Sequence, residues 1–189
     1  MNNGRKLEKH YECPIDNVLV DFADYLSPFF KEYNFTANDI TTLSLIFGVL
    51  SAHSLYKHKY KLASIFYFIS YFFDDMDGFY ARKYNMVSET GDAYDHYKDI
   101  SVALIIFLIL FLQKRYLGLL LYLVVTMFSI NMLGCQEHYY EKNESKTLNG
   151  TKKISMCKSK NEALILLPYI RYCGVGTMNL AFSIYLFLL

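Results

Sequence analysis

Apolar residues in this chain gather into blocks long enough to cross a bilayer, and no other feature constrains its fold as strongly. A hydrocarbon layer about 30 Å thick calls for roughly 20 apolar residues in a helix, because in lipid a helix satisfies its own backbone polar groups. Such blocks run from about Thr36 to Tyr56, Leu62 to Phe73 with an unbroken continuation into acidic residues and Arg82, near Asp95 to Leu112, Tyr116 to about Cys135, and Val175 to Leu189. The last begins as early as Ala163 if Pro168 only interrupts it. The pattern predicts an all-α integral membrane protein, a polytopic helical bundle of about five to six spans. With 189 residues, of which 53% are hydrophobic, the chain has room for a single membrane domain over 1–189 and no separate soluble catalytic module.

Between and before the blocks the composition turns polar. Pro14 to Tyr33 alternates apolar and acidic residues at roughly helical spacing, which predicts an N-terminal interfacial helix. Thr36-Ala37-Asn38-Asp39 has the spacing of a reciprocal helix cap. The opening MNNGRKLEKHYECP lacks the apolar core of a signal peptide. Glu141 to Lys160, with six lysines and two acids, reads as an aqueous loop. Only Lys57, Lys59, Lys61, Lys114 and Arg115 fall on the opposite side of the bundle, so the positive-inside rule places the acidic loop on the cytoplasmic face. Sequons at Asn143 and Asn149 test that orientation, since a glycan on either would reverse it. A net charge of +1 leaves no broad basic surface for nucleic acid. Cys13, Cys135, Cys157 and Cys173 have no paired or metal-finger spacing and read as reduced, structural thiols.

Chemistry concentrates in Asp74 to Asp99, DDMDGFYARKYNMVSETGDAYDHYKD, where the second block ends and the third begins. Asp74 and Asp77 are three apart and Asp95 and Asp99 four apart, so each pair lies on one face of its helix. Carboxylates so close repel unless cations are shared, and oxygen-only ligands suit Mg²⁺ or Mn²⁺. Acids at a helix C-terminus, as Asp74, Asp75 and Asp77 are, oppose the macrodipole and need positive compensation. Asp92 and Asp95 would be at ease near a helix N-terminus. Gly78 and Ala81 permit close approach of a bulky group, Arg82 can fork onto a phosphate, and Gly91 leaves space where the third helix approaches. Together these describe a pyrophosphate site.

The run Asp74-x2-Asp77-Gly78-x2-Ala81-Arg82-x8-Gly91-x3-Asp95-x3-Asp99 resembles the full signature of the CDP-alcohol phosphotransferases, all eight positions included. FTANDIT at the first span is similar to the family's T-P-N-x-I-T, with Ala37 in the proline place. The resemblance implies a membrane bundle, usually six spans and a homodimer, with a site open to the cytoplasm. It implies metal ligation by Asp74, Asp77, Asp95 and Asp99, a nucleotide pocket shaped by Gly78, Ala81, Arg82 and Gly91, and a CDP-linked donor. Asp99 would be a metal ligand or the base for the acceptor hydroxyl.

His96 follows Asp95 as in the choline and ethanolamine phosphotransferases, where that histidine is a candidate base; an interfacial histidine without a task is the other reading. On His96 rests the expectation of CDP-choline or CDP-ethanolamine with diacylglycerol. CDP-diacylglycerol with inositol, serine or glycerol phosphate is the alternative, and an inactive membrane scaffold or metal-binding protein is the alternative of another class. Arg171 reads as snorkelling to the surface or as facing an acceptor, and Glu137 and His138 as interfacial.

Overall fold

The computed structural model describes residues 4–139 and 149–189, which contain helices and no β-strand. In chain order these are α1 (Pro14–Glu32), α2 (Ala37–Tyr56), α3 (Tyr60–Lys83), α4 (Glu89–Leu112), α5 (Tyr116–Tyr139), α6 (Asn149–Ile154), α7 (Lys160–Ile170) and α8 (Val175–Leu188), with a 3-10 turn, Arg171–Cys173, between the last two.

Local chemistry sets the ends. The Thr36 hydroxyl accepts from the Asp39 amide at 3.3 Å while Asp39 Oδ2 accepts from the Thr36 amide at 2.8 Å, so the expected reciprocal cap starts α2. The fourth helix starts at Glu89, ahead of the expected Asp95. Ser88 accepts from the Gly91 amide at 3.1 Å, and Glu89 and Asp92 in the first turn complement the helix dipole. Four connections share one device: Asn34, His58, Asn85 and Lys114 have φ between 56° and 59°. After each, an amide bonds back across the turn, Phe35 to Phe30 O (3.0 Å), Lys59 to Ser54 O (2.8 Å), Met86 to Ala81 O (2.7 Å) and Arg115 to Leu110 O (2.9 Å). These left-handed caps reverse the chain within a few residues, so that α2 packs on both α3 and α4, and α4 on α5.

Small hydroxylated residues seat the helices closely. Ser44 on α2 and Ser70 on α3 each donate to the other's carbonyl, at 2.9 and 2.8 Å. Ser64 on α3 and Ser183 on α8 do the same at 2.7 and 3.0 Å. Buried hydroxyl pairs of this kind are how helices associate where no hydrophobic gain is left to drive them. One apolar core, with Leu55, Ile106, Leu110, Phe182 and Leu186, fills the end away from the acidic residues. A second, with Ile40, Met76, Phe79 and Tyr80, supports the acidic end.

Among the described residues one helix, α5, is long and apolar enough by itself to cross a membrane, with a mean hydropathy of 2.0. The pair α1 and α2 also passes, bent by 115°. The third and fourth helices have the length, but the acidic site lies within them, and α8 has only 14 residues.

Several expectations need correction. Cys135 and Cys157 form a disulfide with Cα atoms 5.1 Å apart, where reduced thiols were expected; the return of the chain beside α5 brings together residues 22 apart. The stretch 141–160 is not wholly loop, because it contains α6 and the start of α7. Residues 140–148, with the Asn143 sequon, lie outside the described residues. Pro168 sits inside α7, and the break before α8 comes instead at Arg171–Gly174. Glu137 is not interfacial: it is fully buried, and Lys6 Nζ donates to its Oε1 at 2.5 Å.

Candidate metal and nucleotide site

The short reversal Tyr84–Ser88 joins α3 to α4, and both helices pack on α2, which puts the C-terminal turns of α3 and the N-terminal turns of α4 at one site. Oxygens of Asp74, Asp95 and Asp99 converge to within 4.8 Å of one another. Asp77 is buried one turn along, with Oδ2 accepting from the Thr41 hydroxyl at 2.6 Å, and is not in the group of three. The fold thus brings Asp74 of the first pair to both acids of the second, and leaves Asp77 to Thr41.

The centre of the group holds a residue to which the sequence reading assigned no role. Lys98 Nζ contacts Asp74 Oδ1 and lies 2.9 Å from both Asp95 Oδ1 and Asp99 Oδ1, with the Ser44 hydroxyl at 3.2 Å. Its place three residues after Asp95 and next to Asp99 was the available signal, since that spacing returns to the acidic face. Thr41 ends the FTANDIT stretch, whose likeness to T-P-N-x-I-T was the available signal, whereas Ser44 was missed because α2 only reaches the site through folding.

A divalent cation fits these donors. Three carboxylates at that separation form an all-oxygen set suited to a hard ion. One further fact agrees: Asp95 Oδ1, though at ion-pair distance from Lys98, has no aligned hydrogen bond. Buried carboxylate oxygens are rarely left so.

Around the carboxylates the two glycines, expected to leave room for a bound group, leave room for the chain's own side chains. A Cβ on Gly78 would stand 3.1 Å from Arg82 Nη1, so the glycine gives the guanidinium room to lie along α3. A Cβ on Gly91 would meet Asn38 Oδ1 and Ser88 Oγ at 3.0 Å, so α4 needs glycine there to close on α2. Ala81 packs against the core under the site. Arg82 Nε donates to the Gly4 carbonyl at 2.7 Å, which brings the N-terminal segment over this part of α3. That segment is held by Arg5, whose Nη1 donates to Glu12 Oε2 at 2.5 Å and to Asn17 Oδ1 at 3.0 Å. Burial pushes the Glu12 carboxyl up to about 7 despite the opposing pull of Arg5. Arg171 belongs to the same assembly, donating to the carbonyls of Lys9 and His10 at 3.1 and 2.9 Å, so neither reading of a free arginine describes it.

Beyond Asp74, Lys98 and Asp99 a cavity of about 240 Å³ opens between α2, α3, α4, α5 and α8. Ser44, Tyr67, Ser70, Tyr122, Thr126 and Asn179 line it, and the Tyr67 hydroxyl donates to Asn179 Oδ1 at 2.5 Å. His96 is half-buried on α4 and belongs neither to the carboxylate group nor to the cavity wall.

The family model described as CDP-alcohol phosphatidyltransferase matches residues 34–186, a stretch that includes both sides of this site. A CDP-diacylglycerol–serine O-phosphatidyltransferase of Bacillus subtilis (strain 168) is 41% identical over 61 residues, 32% of this chain and 34% of that protein. The chain thus spans about a third of the length of the curated relative it matches. No solved structure matches. With the family's motif assembled into one group of acids and the match running across most of the chain, the protein belongs to the CDP-alcohol phosphatidyltransferase family.

Proposed function

We propose that this protein is a phospholipid-synthesising enzyme that carries a phospho-alcohol group from a CDP-linked donor to an alcohol and releases CMP. Family membership supports the class. The position of Asp99 carries the mechanism: it shares one set of converging carboxylates and also lines the cavity between the helices. Asp74, Asp95 and Asp99, with Asp77 behind them, would hold Mg²⁺ or Mn²⁺. Such an ion, when bound, offsets the diphosphate charge and makes CMP a better leaving group. Arg82 holds phosphate oxygens by its planar fork, with Gly78, Ala81 and Gly91 shaping the nucleotide pocket. Asp99 takes the proton of the acceptor hydroxyl. That oxygen bonds to the phosphorus bearing the alcohol, the bond from this phosphorus to the bridging oxygen breaks, and CMP departs with both electrons.

For the substrates, CDP-diacylglycerol with a small polar alcohol is the better-supported pair. The printed name of the Bacillus relative belongs to that class. The reading with CDP-choline or CDP-ethanolamine and diacylglycerol rests on His96 alone, which does not line the cavity.

The family is membrane-bound. Within it we read 1–189 as one domain with α1 in the interface, α2 to α5 as four spans, α7 and α8 as a broken fifth, the site facing the cytoplasm, and a homodimer as the working unit. The decisive assay counts CMP released by purified protein with Mg²⁺ or Mn²⁺. It compares CDP-diacylglycerol plus serine, inositol or glycerol phosphate with CDP-choline or CDP-ethanolamine plus diacylglycerol. Release in the first group is expected. Release only in the second overturns the substrate choice, and none in either favours a scaffold or metal-binding protein.

A further inference from the structure

Lys98 poses a problem that the transfer reaction does not solve. It is an amine with 4% of its surface exposed, reached from three sides by carboxylates and from a fourth by the Ser44 hydroxyl. The carboxylates it touches are those of the candidate metal group. A divalent ion bonded to them would sit about 2.1 Å from each, inside the space the ammonium now fills. Both cations cannot be there together.

We infer that Lys98 is a resident counter-ion of this site: its ammonium holds the carboxylates together in the metal-free protein and is displaced when a divalent cation enters. Four acids, Asp74, Asp77, Asp95 and Asp99, are gathered where helices pack, and without a cation their mutual repulsion would splay the α3 and α4 ends. A lysine on the α4 face supplies that charge from within the chain. The same arrangement lowers metal affinity, because binding must break three ion pairs before it makes its own bonds. Room for the displaced ammonium exists in the cavity that Lys98 lines together with Ser44 and Ser70. Lys98 is therefore a positioning residue for the acidic ligands. The inference rests on the metal-dependent reading above, and its test separates the two.

Mn²⁺ binding to the purified protein is measured by calorimetry for the unaltered chain, Lys98→Met and Lys98→Arg, each alongside a metal-free unfolding curve. Removing the charge should tighten Mn²⁺ binding at least about tenfold, while lowering the metal-free unfolding temperature and enlarging the rise on adding Mn²⁺. Lys98→Arg should stay within about threefold of the unaltered protein, because charge and not shape sets the competition. A lysine with only a structural role would predict weaker binding in Lys98→Met. Equal or weaker binding there overturns the inference alone; no Mn²⁺ binding by any of the three overturns the metal-dependent reading with it. Should Lys98→Met not fold, the unaltered chain decides: acetylation of Lys98, followed by mass spectrometry, should rise about tenfold or more when Mn²⁺ is added, and an unchanged or reduced rate refutes displacement.

Discussion

Replacing Asp99 by Asn separates catalysis from folding, because the structure predicts that its electrostatic effects on stability nearly cancel. Asp99 Oδ1 lies 2.9 Å from Lys98 Nζ and within 4.8 Å of oxygens of Asp74 and Asp95. With an effective dielectric of about 20, losing the ion pair costs about 5.7 kcal/mol, and removing two repulsions returns about 3.5 kcal/mol each, about 7 in all. Half-exposure of the side chain and salt shrink both contributions, so the net effect should be about 1 kcal/mol or less. For a chain of this size that is a Tm shift of roughly 2–4 °C. Turnover should nevertheless fall by about 10²- to 10⁴-fold, the range for a lost general base. The assay is CMP release by Asp99→Asn and unaltered protein in the same detergent, with thermal unfolding of each. Turnover kept within about tenfold would refute the role of Asp99 as base. A Tm drop of more than about 10 °C that tracks the activity loss would refute the cancellation and make the residue structural.

His96→Ala should change turnover by less than about tenfold, or 1.4 kcal/mol of barrier, measured by the same CMP release; a loss of 10² or more would return His96 to the base position and the diacylglycerol acceptor to first place. Asp77→Asn should abolish transfer while the protein still inserts and folds, as followed by membrane extraction and circular dichroism, whereas loss of insertion would mark its bond to Thr41 as structural. Glu12, with a folded pKa of about 7 against an ordinary 4.5, contributes its stability below about pH 4.5 and loses it as pH rises through 7. Glu12→Gln should flatten that slope and raise the Tm at pH 8 by the equivalent of at most about 3 kcal/mol, and an unchanged pH profile would exclude Glu12 as its source. Cys135 and Cys157, joined in the structure, should label with maleimide only after reduction in membranes whose free thiols have first been blocked; mass spectrometry that finds both already blocked without reduction would refute the disulfide.

The helices were legible because their signals are local. Thr36 with Asp39, the apolar blocks, and the polar breaks at Lys57–Lys59 and Gln113–Arg115 act within a few residues. The boundary errors have equally local causes. Ser88 caps α4 earlier than apolarity suggested, and the turn at Arg171–Gly174, not Pro168, interrupts the last helix. Pairing of Cys135 with Cys157, and of Lys6 with Glu137, could not be read, since each joins segments that only the folded chain brings together.

The sequence by itself determined the helical class, the family and the acidic residues, because helical periodicity alone puts Asp74 with Asp77 and Asp95 with Asp99 on common faces. Tertiary structure decided which groups share the centre. It sorted Asp77 to Thr41 while grouping Asp74, Asp95 and Asp99, placed Lys98 among them, left His96 outside, and opened a cavity behind Asp99. Periodicity fixes the face on which a side chain leaves its own helix. Which side chains meet depends on how α2, α3 and α4 are rotated and stacked, and that is set by contacts remote in sequence: the Ser44 and Ser70 pair, the space at Gly91 against Asn38, and the left-handed cap at Asn85.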